Sequence, residues 1–369
     1  MISAFALIPM LVLAGGATDI ARHEAYRAQL QDSVDRAVLA AASLTQKRNV
    51  EKTIEDYLKT LPFASDVVLT FNHTTTTNQR EVQVTANYQM NTAFLPLIGI
   101  NSIGVNASAT ALERRKNIEI SLMLDISGSM RFREPASAPT RISLLRPAAK
   151  SFIDTIVTPD TAAYTSISVV PYAGSVNPGV LVFDYLGVPR QHSYSSCVEF
   201  NINDYGVGLI PFNQRSQLAH FTQNHQGVNE PGLEWSWCPY EETAITYLSN
   251  DATALKSKID TMKMHDGTGT AIAMNWGMML LEPSARPMVA HGVAAGVIPS
   301  QFANRPAAFN DPDTLKFIVL MTDGDISPQY RPNTYAYPRT PAVSNFEAQN
   351  RNSARDSMYA ICTRAKKMA

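Results

Sequence analysis

The stretch Asn117 to Met130, NIEISLMLDISGSM, constrains this chain more than any other. Ile118, Ile120 and Leu122 alternate with Glu119, Ser121 and Met123, and Leu124 completes an apolar run. Such a run, stopped by Gly128, reads as a buried strand ending in a polar loop. At its C-terminal edge stand Asp125, Ser127 and Ser129, alternate residues carrying one carboxylate and two hydroxyls. These are hard oxygen donors of the kind that Mg²⁺ or Mn²⁺ takes. In open α/β sheets, ligands bind just outside the carboxyl ends of the strands. Taken alone, the same residues also read as an ordinary polar strand-to-helix turn.

Two later stretches add weight to the first reading. Leu315 to Asp325, LKFIVLMTDGD, is a second buried strand that ends in a carboxylate, Asp323. Asp266 to Ala273, DGTGTAIA, is a glycine-rich turn that starts a helix near Ala271. The three fragments, in this order, resemble the metal-ion-dependent adhesion site of von Willebrand factor type A domains. The family's pattern falls on Asp125, Ser127, Ser129, Thr268 and Asp323. Thr268 is preferred to Thr270 because Thr268 to Met274, TGTAIAM, matches the family's T-x-T-x-x-G/A-L/I/M run.

The resemblance implies an α/β fold with a Rossmann-like, doubly wound, mainly parallel sheet. It also implies that Ser127, Ser129 and Thr268 contact a divalent cation directly, Mg²⁺ or Mn²⁺, while Asp323 acts through water. One coordination position stays open for a partner's carboxylate. Function is then recognition, and nothing in it needs a nucleophile or a general base.

At 369 residues the chain has room for two domains. A net charge of −1 and a pI near 6.7 imply no basic face for nucleic acid or anionic lipid. The only cysteines are Cys197, Cys238 and Cys362, and there is no CxxC, Cys/His cluster or HExxH, which argues against a zinc site.

Met1 to Ala17, MISAFALIPMLVLAGGA, carries no charged side chain. As a helix it reaches about 25 Å, close to a minimal membrane span. Transmembrane helix, cleaved signal peptide and buried core helix compete here, although Pro9 and the pair Gly15-Gly16 do not suit a long soluble helix. From Asp19 to Leu44, Tyr26, Leu30, Val34, Ala37, Ala41 and Leu44 form one helical stripe, with charges including Asp19 and Arg22 solvating the rest. An apolar span running into an amphipathic stalk, over residues 1–45, resembles the amino-terminal segment of TadE/TadG-like proteins of the tight-adherence (Flp) pilus. Members of that family carry basic residues before the apolar run. Their absence places the natural start upstream, or marks a late assignment of it.

Residues 46–116 read as a small α+β region. A helix covers Val50 to Thr60, and three strands follow with alternating faces: Val67, Leu69 and Phe71; Val82, Val84, Ala86 and Tyr88; Ile103, Val105, Ala107, Ala109 and Ala111. The threonine-rich His73 to Asn78 is a loop. Phe94 to Ala111, FLPLIGINSIGVNASATA, resembles the same TadG-like region.

By the von Willebrand factor resemblance, residues 117–369 read as the type A domain. Thr140 to Val157 predicts a helix with Pro147 inside it, either kinked there or starting later, near Arg146. Tyr164 to Tyr172 is a strand, with Val180 to Leu186 as its antiparallel neighbour. Helices follow over Asp251 to Met262 and Ala271 to Leu281. Two irregular insertions are predicted, at about 187–247 and 283–312, and Gln329 to Ser344 is a loop. Asn350 to Ala369 is a final helix. A further strand should follow it, so the domain reads as C-terminally incomplete and the natural chain as longer, with Cys362 lacking its partner.

Function is therefore predicted as that of a single-pass, inner-membrane protein of pilus assembly with its bulk in the periplasm. It binds pilus or envelope components through a cation and a partner's carboxylate, and no nucleic acid. An oxidising compartment permits a Cys197–Cys238 bridge across the first insertion; two isolated thiols are the alternative. A second function is a purely structural scaffold, or minor pilin-like protein, with a silent metal site. A third, an aspartyl-phosphate phosphatase, needs a carboxylate two residues after the nucleophile, where this chain has Ser127.

Overall fold

The computed structural model describes residues 2–76, 78–223, 233–234, 236–324, 326–333 and 345–368, without the side chains of 2–9, 11 and 233. The chain divides into two compact units, Met1–Arg115 and Lys116–Ala369.

In the first unit, α1 (Ile2–Ala42) is one helix of 41 residues that continues past Pro9. Leu30, Val34, Ala37 and Ala41 are buried along the predicted stripe. They pack with Ile54 and Leu58 of α2 (Val50–Leu58) and with an antiparallel sheet of β1 (Val68–Thr75), β2 (Gln79–Asn91) and β3 (Ser102–Arg114). Val82, Val84 and Ala86 supply one face of β2, as the alternation predicts. Burying each leucine, isoleucine or valine side chain here contributes about 1.5–3 kcal/mol, and each alanine methyl less. The threonine loop is shorter than its composition implies, because β1 takes in residues up to Thr75.

Two expectations about α1 change. Gly15 and Gly16 are tolerated because the chain presses on them: a Cβ at Gly15 would lie 2.3 Å from Cγ of Phe94, and one at Gly16 3.2 Å from Leu95. Asp19 is buried, not solvated, and its carboxylate accepts the N–H groups of Ala93 (2.9 Å), Phe94 (2.8 Å) and Leu95 (3.0 Å). The apolar run thus meets protein at its C-terminal end. Among the described residues no helix is long and apolar enough to cross a membrane.

The second unit is mixed α/β. β4 (Asn117–Asp125) pairs in parallel with β5 (Thr165–Tyr172) and with β9 (Thr314–Met321). β7 (Thr246–Ser249) closes the other side antiparallel to β5, giving the order β7-β5-β4-β9. The doubly wound, mainly parallel arrangement is thus met only in part. Elsewhere β6 (Leu233–Glu234) pairs with β8 (Met264–His265), and β10 (Gln329–Pro332) with β11 (Asn345–Gln349).

Each face of the sheet has its own core. Ile120, Leu122 and Leu124 meet Ile142, Leu145 and Ile153 of α3 (Arg141–Ile156) and Leu255 and Ile259 of α5 (Ala252–Thr261). Thr140 caps α3, which starts at Arg141 rather than near Arg146 and continues through Pro147. On the opposite face Met123, Val170 and Tyr172 meet α6 (Thr270–Met279), whose ten residues are all buried.

Val180 to Leu186 is not a strand. Its core is α4 (Val180–Tyr185), where Val182 and Phe183 are buried in succession, which a strand cannot do on one face. Among the described residues, the region around 187–247 contains short turns rather than long elements, but it is no mere excursion: Phe200, Tyr205 and Phe212 join Trp276 in the core. Cys197 and Cys238 are disulfide-bonded, and Cys362 is a free, half-buried thiol. The second insertion contains a helix, α7 (Arg286–Ala294). The loop predicted from Gln329 begins as strand β10, and its residues 334–344 lie outside the described ones. α8 (Arg351–Met368) ends the chain, with Ile361 buried in the α6 core.

Candidate metal centre

β4 delivers Asp125 to the end of the sheet, and a 3₁₀ turn over Gly128–Arg131 follows at once. The Asp125 side chain is fully buried. One carboxylate oxygen accepts the Ser127 N–H at 2.9 Å; the other accepts the hydroxyls of Thr322 at 2.7 Å and Tyr172 at 3.2 Å. Ser127 Oγ and Ser129 Oγ lie 3.0 Å apart. One turn therefore gathers a carboxylate and two hydroxyls.

The turn before α6 lies alongside. His265 bridges to Ser127 in parallel fashion, and its N–H donates to the Ile126 carbonyl at 2.8 Å. Three residues on, Thr268 is buried, and its carbonyl accepts the Ser327 N–H at 3.3 Å, tying this turn to the loop after β9. Thr270 is the first residue of α6.

Asp323 stands two residues past the end of β9, after Thr322, its side chain only 3% exposed. Arg141, the first residue of α3, donates to its Oδ2 at 2.8 Å. Asp325, at the end of the predicted strand, lies outside the described residues.

Burial raises the Asp125 carboxyl above its ordinary range, and the nearby charge of Asp323 pushes the same way against the hydrogen bonds from Ser127 and Thr322. Burial also raises the Tyr172 phenol, with the Asp125 charge adding to it. A cation at this point would favour the ionised carboxylate, so the donor chemistry fits a hard divalent ion. Among the described residues no group of three or more His, Cys, Asp or Glu is placed to hold a metal, so hydroxyls would have to share the work.

Sequence reasoning missed three neighbours of the site. Tyr172 pairs in register with Asp125 across β4 and β5. Thr322 stands beside Asp323, where a hydroxyl before a strand-end aspartate was the available signal. Nothing in the sequence pattern marked Arg141.

Residues 1–44 match the Flp pilus-assembly TadE/G-like family model. No curated protein matches the chain in sequence. Among solved structures, the pilus adhesin SpaC from Lactobacillus rhamnosus GG is 13% identical over 77% of this chain and 23% of its own, with a TM-score of 0.28. The pilus adhesin RrgA from Streptococcus pneumoniae is 15% identical over 72% and 26%, also at 0.28. A von Willebrand factor type A structure from Catenulispora acidiphila is 11% identical over 81% and 50%, at 0.22. The chain thus spans about a quarter of each adhesin, and TM-scores this low carry no argument about what it does.

Proposed function

With a TadE/G-like pilus-assembly segment at residues 1–44 as the starting point, we propose that this is a pilus-related envelope protein that recognises a partner's carboxylate through a divalent cation. The observation that carries the reading is the turn at the end of β4, where buried Asp125 stands with the Ser127 and Ser129 hydroxyls and under the charge of Asp323. Asp125, Ser127, Ser129, Thr268 and Asp323 would hold the ion. When bound, Mg²⁺ or Mn²⁺ supplies a hard electrophilic position for an incoming carboxylate oxygen. Asp125 and the two serines orient that position, and Tyr172 and Thr322 fix the carboxylate behind it. Anchoring in the inner membrane through the uncharged start of α1, with the remainder in the periplasm, belongs to the same proposal.

One observation favours a second reading, a scaffold with a silent site. Arg141 already provides Asp323 with a cation. Pull-down of pilus and envelope components with the full chain separates the two. Retention in Mg²⁺ that is lost in chelator and in Asp125→Ala supports the cation bridge. Equal retention with and without chelator leaves the scaffold.

A further inference from the structure

We propose that Trp237 is a positioning residue for the Thr268 turn, held in place by the Cys197–Cys238 disulfide; the inference rests on the metal-site reading above. Trp237 belongs to the region between α4 and β7, far in sequence from every predicted ligand, and it is 1% exposed. Its indole fills the space left by two glycines. A Cβ at Gly174 would lie 2.3 Å from the ring, and one at Gly267 2.5 Å from it. Gly267 has φ +79°, a left-handed conformation that glycine adopts without strain. Gly269 completes the fit, since its Cβ would lie 2.4 Å from the Gly174 carbonyl oxygen. Thr268 is the residue between these two closely packed glycines.

Backbone hydrogen bonds fasten the same stack. Trp237 donates its N–H to Phe221 O at 2.7 Å and accepts the Ser175 N–H at 3.0 Å. Gly174 N–H reaches Asp266 O at 2.7 Å, Asp266 N–H reaches Ser236 O at 3.1 Å, and Gly269 N–H reaches Ala173 O. Ser236 Oγ lies 3.0 Å from His265 Nδ1, so residues 236 and 237 touch both the start and the middle of the turn. Among the described residues nothing accepts the indole N–H, so shape rather than a polar bond fixes the ring. Cys238, the next residue, is covalently tied to Cys197. The disulfide-closed region therefore bears on the turn before α6 at two places: Thr222 and Gln223 donate to the Asp266 carboxylate at 2.9 and 2.7 Å, and the Trp237 indole packs where the glycines flank Thr268.

The test is Mn²⁺ affinity of the full chain, measured by titration well below the melting temperature, with native circular dichroism confirming each variant's fold. Trp237→Ala should weaken Mn²⁺ binding about tenfold, and Trp237→Phe, which keeps a ring in the gap, should recover most of it. In a Thr268→Ala background, Trp237→Ala should add less than about twofold, because both act through one hydroxyl. Should Trp237→Ala not fold, Cys197→Ser/Cys238→Ser, which leaves the indole in place but frees its neighbour, should show the same weakening and the same dependence on Thr268. Wild-type affinity in the folded variants, or effects that multiply with Thr268→Ala, overturns the inference. If Mn²⁺ binding is lost in Asp125→Ala yet indifferent to residue 237, only the inference falls. If the wild-type chain binds no Mn²⁺, the site reading falls and takes the inference with it.

Discussion

Arg141 donates from Nη1 to Asp323 Oδ2 at 2.8 Å, placing a fixed positive charge on a carboxylate otherwise shut away from solvent. The guanidinium is one-third exposed and also lies 3.5 Å from Glu134, so it has a second anionic partner within reach. It competes with any cation for the charge of Asp323. Arg141→Gln should therefore lower the stability of the metal-free chain, by about 1 kcal/mol given the exposure of the arginine. It should also enlarge the rise in melting temperature that Mn²⁺ produces. Differential scanning calorimetry with and without Mn²⁺ measures both. A smaller Mn²⁺-induced rise than in wild type would show that Arg141 supports the site rather than opposing it.

A second prediction concerns Asp19. Burial alone would raise its carboxyl, but the N–H groups of Ala93, Phe94 and Leu95, with Arg22 nearby, outweigh burial and hold it below the usual range. A depressed folded value means the unfolded chain binds the proton first as pH falls. The stabilising contribution is thus present above the unfolded value, about 3.9, and is lost as pH falls through the folded one. Asp19→Asn should lower the melting temperature at pH 7 and flatten its dependence on pH below about 4. Parallel acid limbs in the two proteins would contradict this.

The disulfide gives a third. Denatured, unreduced chain should take up one equivalent of thiol reagent, at Cys362. The bridged cysteines are 41 residues apart, for which the chain-entropy model gives about 4 kcal/mol of stabilisation. Cys197→Ser/Cys238→Ser should move the urea midpoint down accordingly. Three reactive thiols in unreduced protein would show that the bridge does not form.

What could be read in advance depended on how local the signal was. β4 and β5 are buried almost throughout because cores cover both faces of the sheet there, and such strands announce themselves. β9 read as equally buried, but at the edge of the sheet it leaves Leu315 and Phe317 exposed, which its apolar run alone does not reveal. Val180 to Leu186 misled because a short β-branched run fits a strand or a buried helical turn equally well. α7 was hidden by Pro287 and Gly292. The proline sits in its first turn, where no N–H bond is lost, and a Cβ at Gly292 would lie 2.6 Å from Ile298. Asp125, Ser127 and Ser129 were legible because one turn carries all three. Tyr172 and Arg141 reach the site only through strand register and helix placement, which no local pattern encodes, whereas Thr322 adjoins a strand-end aspartate and was open to a local reading.

The most direct test of the central claim is a Mn²⁺ titration of the full chain beside Asp125→Ala, Thr268→Ala and Thr270→Ala. The site reading predicts one ion per chain and none in Asp125→Ala, with Thr268→Ala weakening binding more than Thr270→Ala. At about 100 times Kd, the ion should add ~2.7 kcal/mol of stability to the wild-type chain. A folded wild-type chain that takes up no Mn²⁺ at millimolar concentration, with its melting temperature unchanged, would contradict the claim.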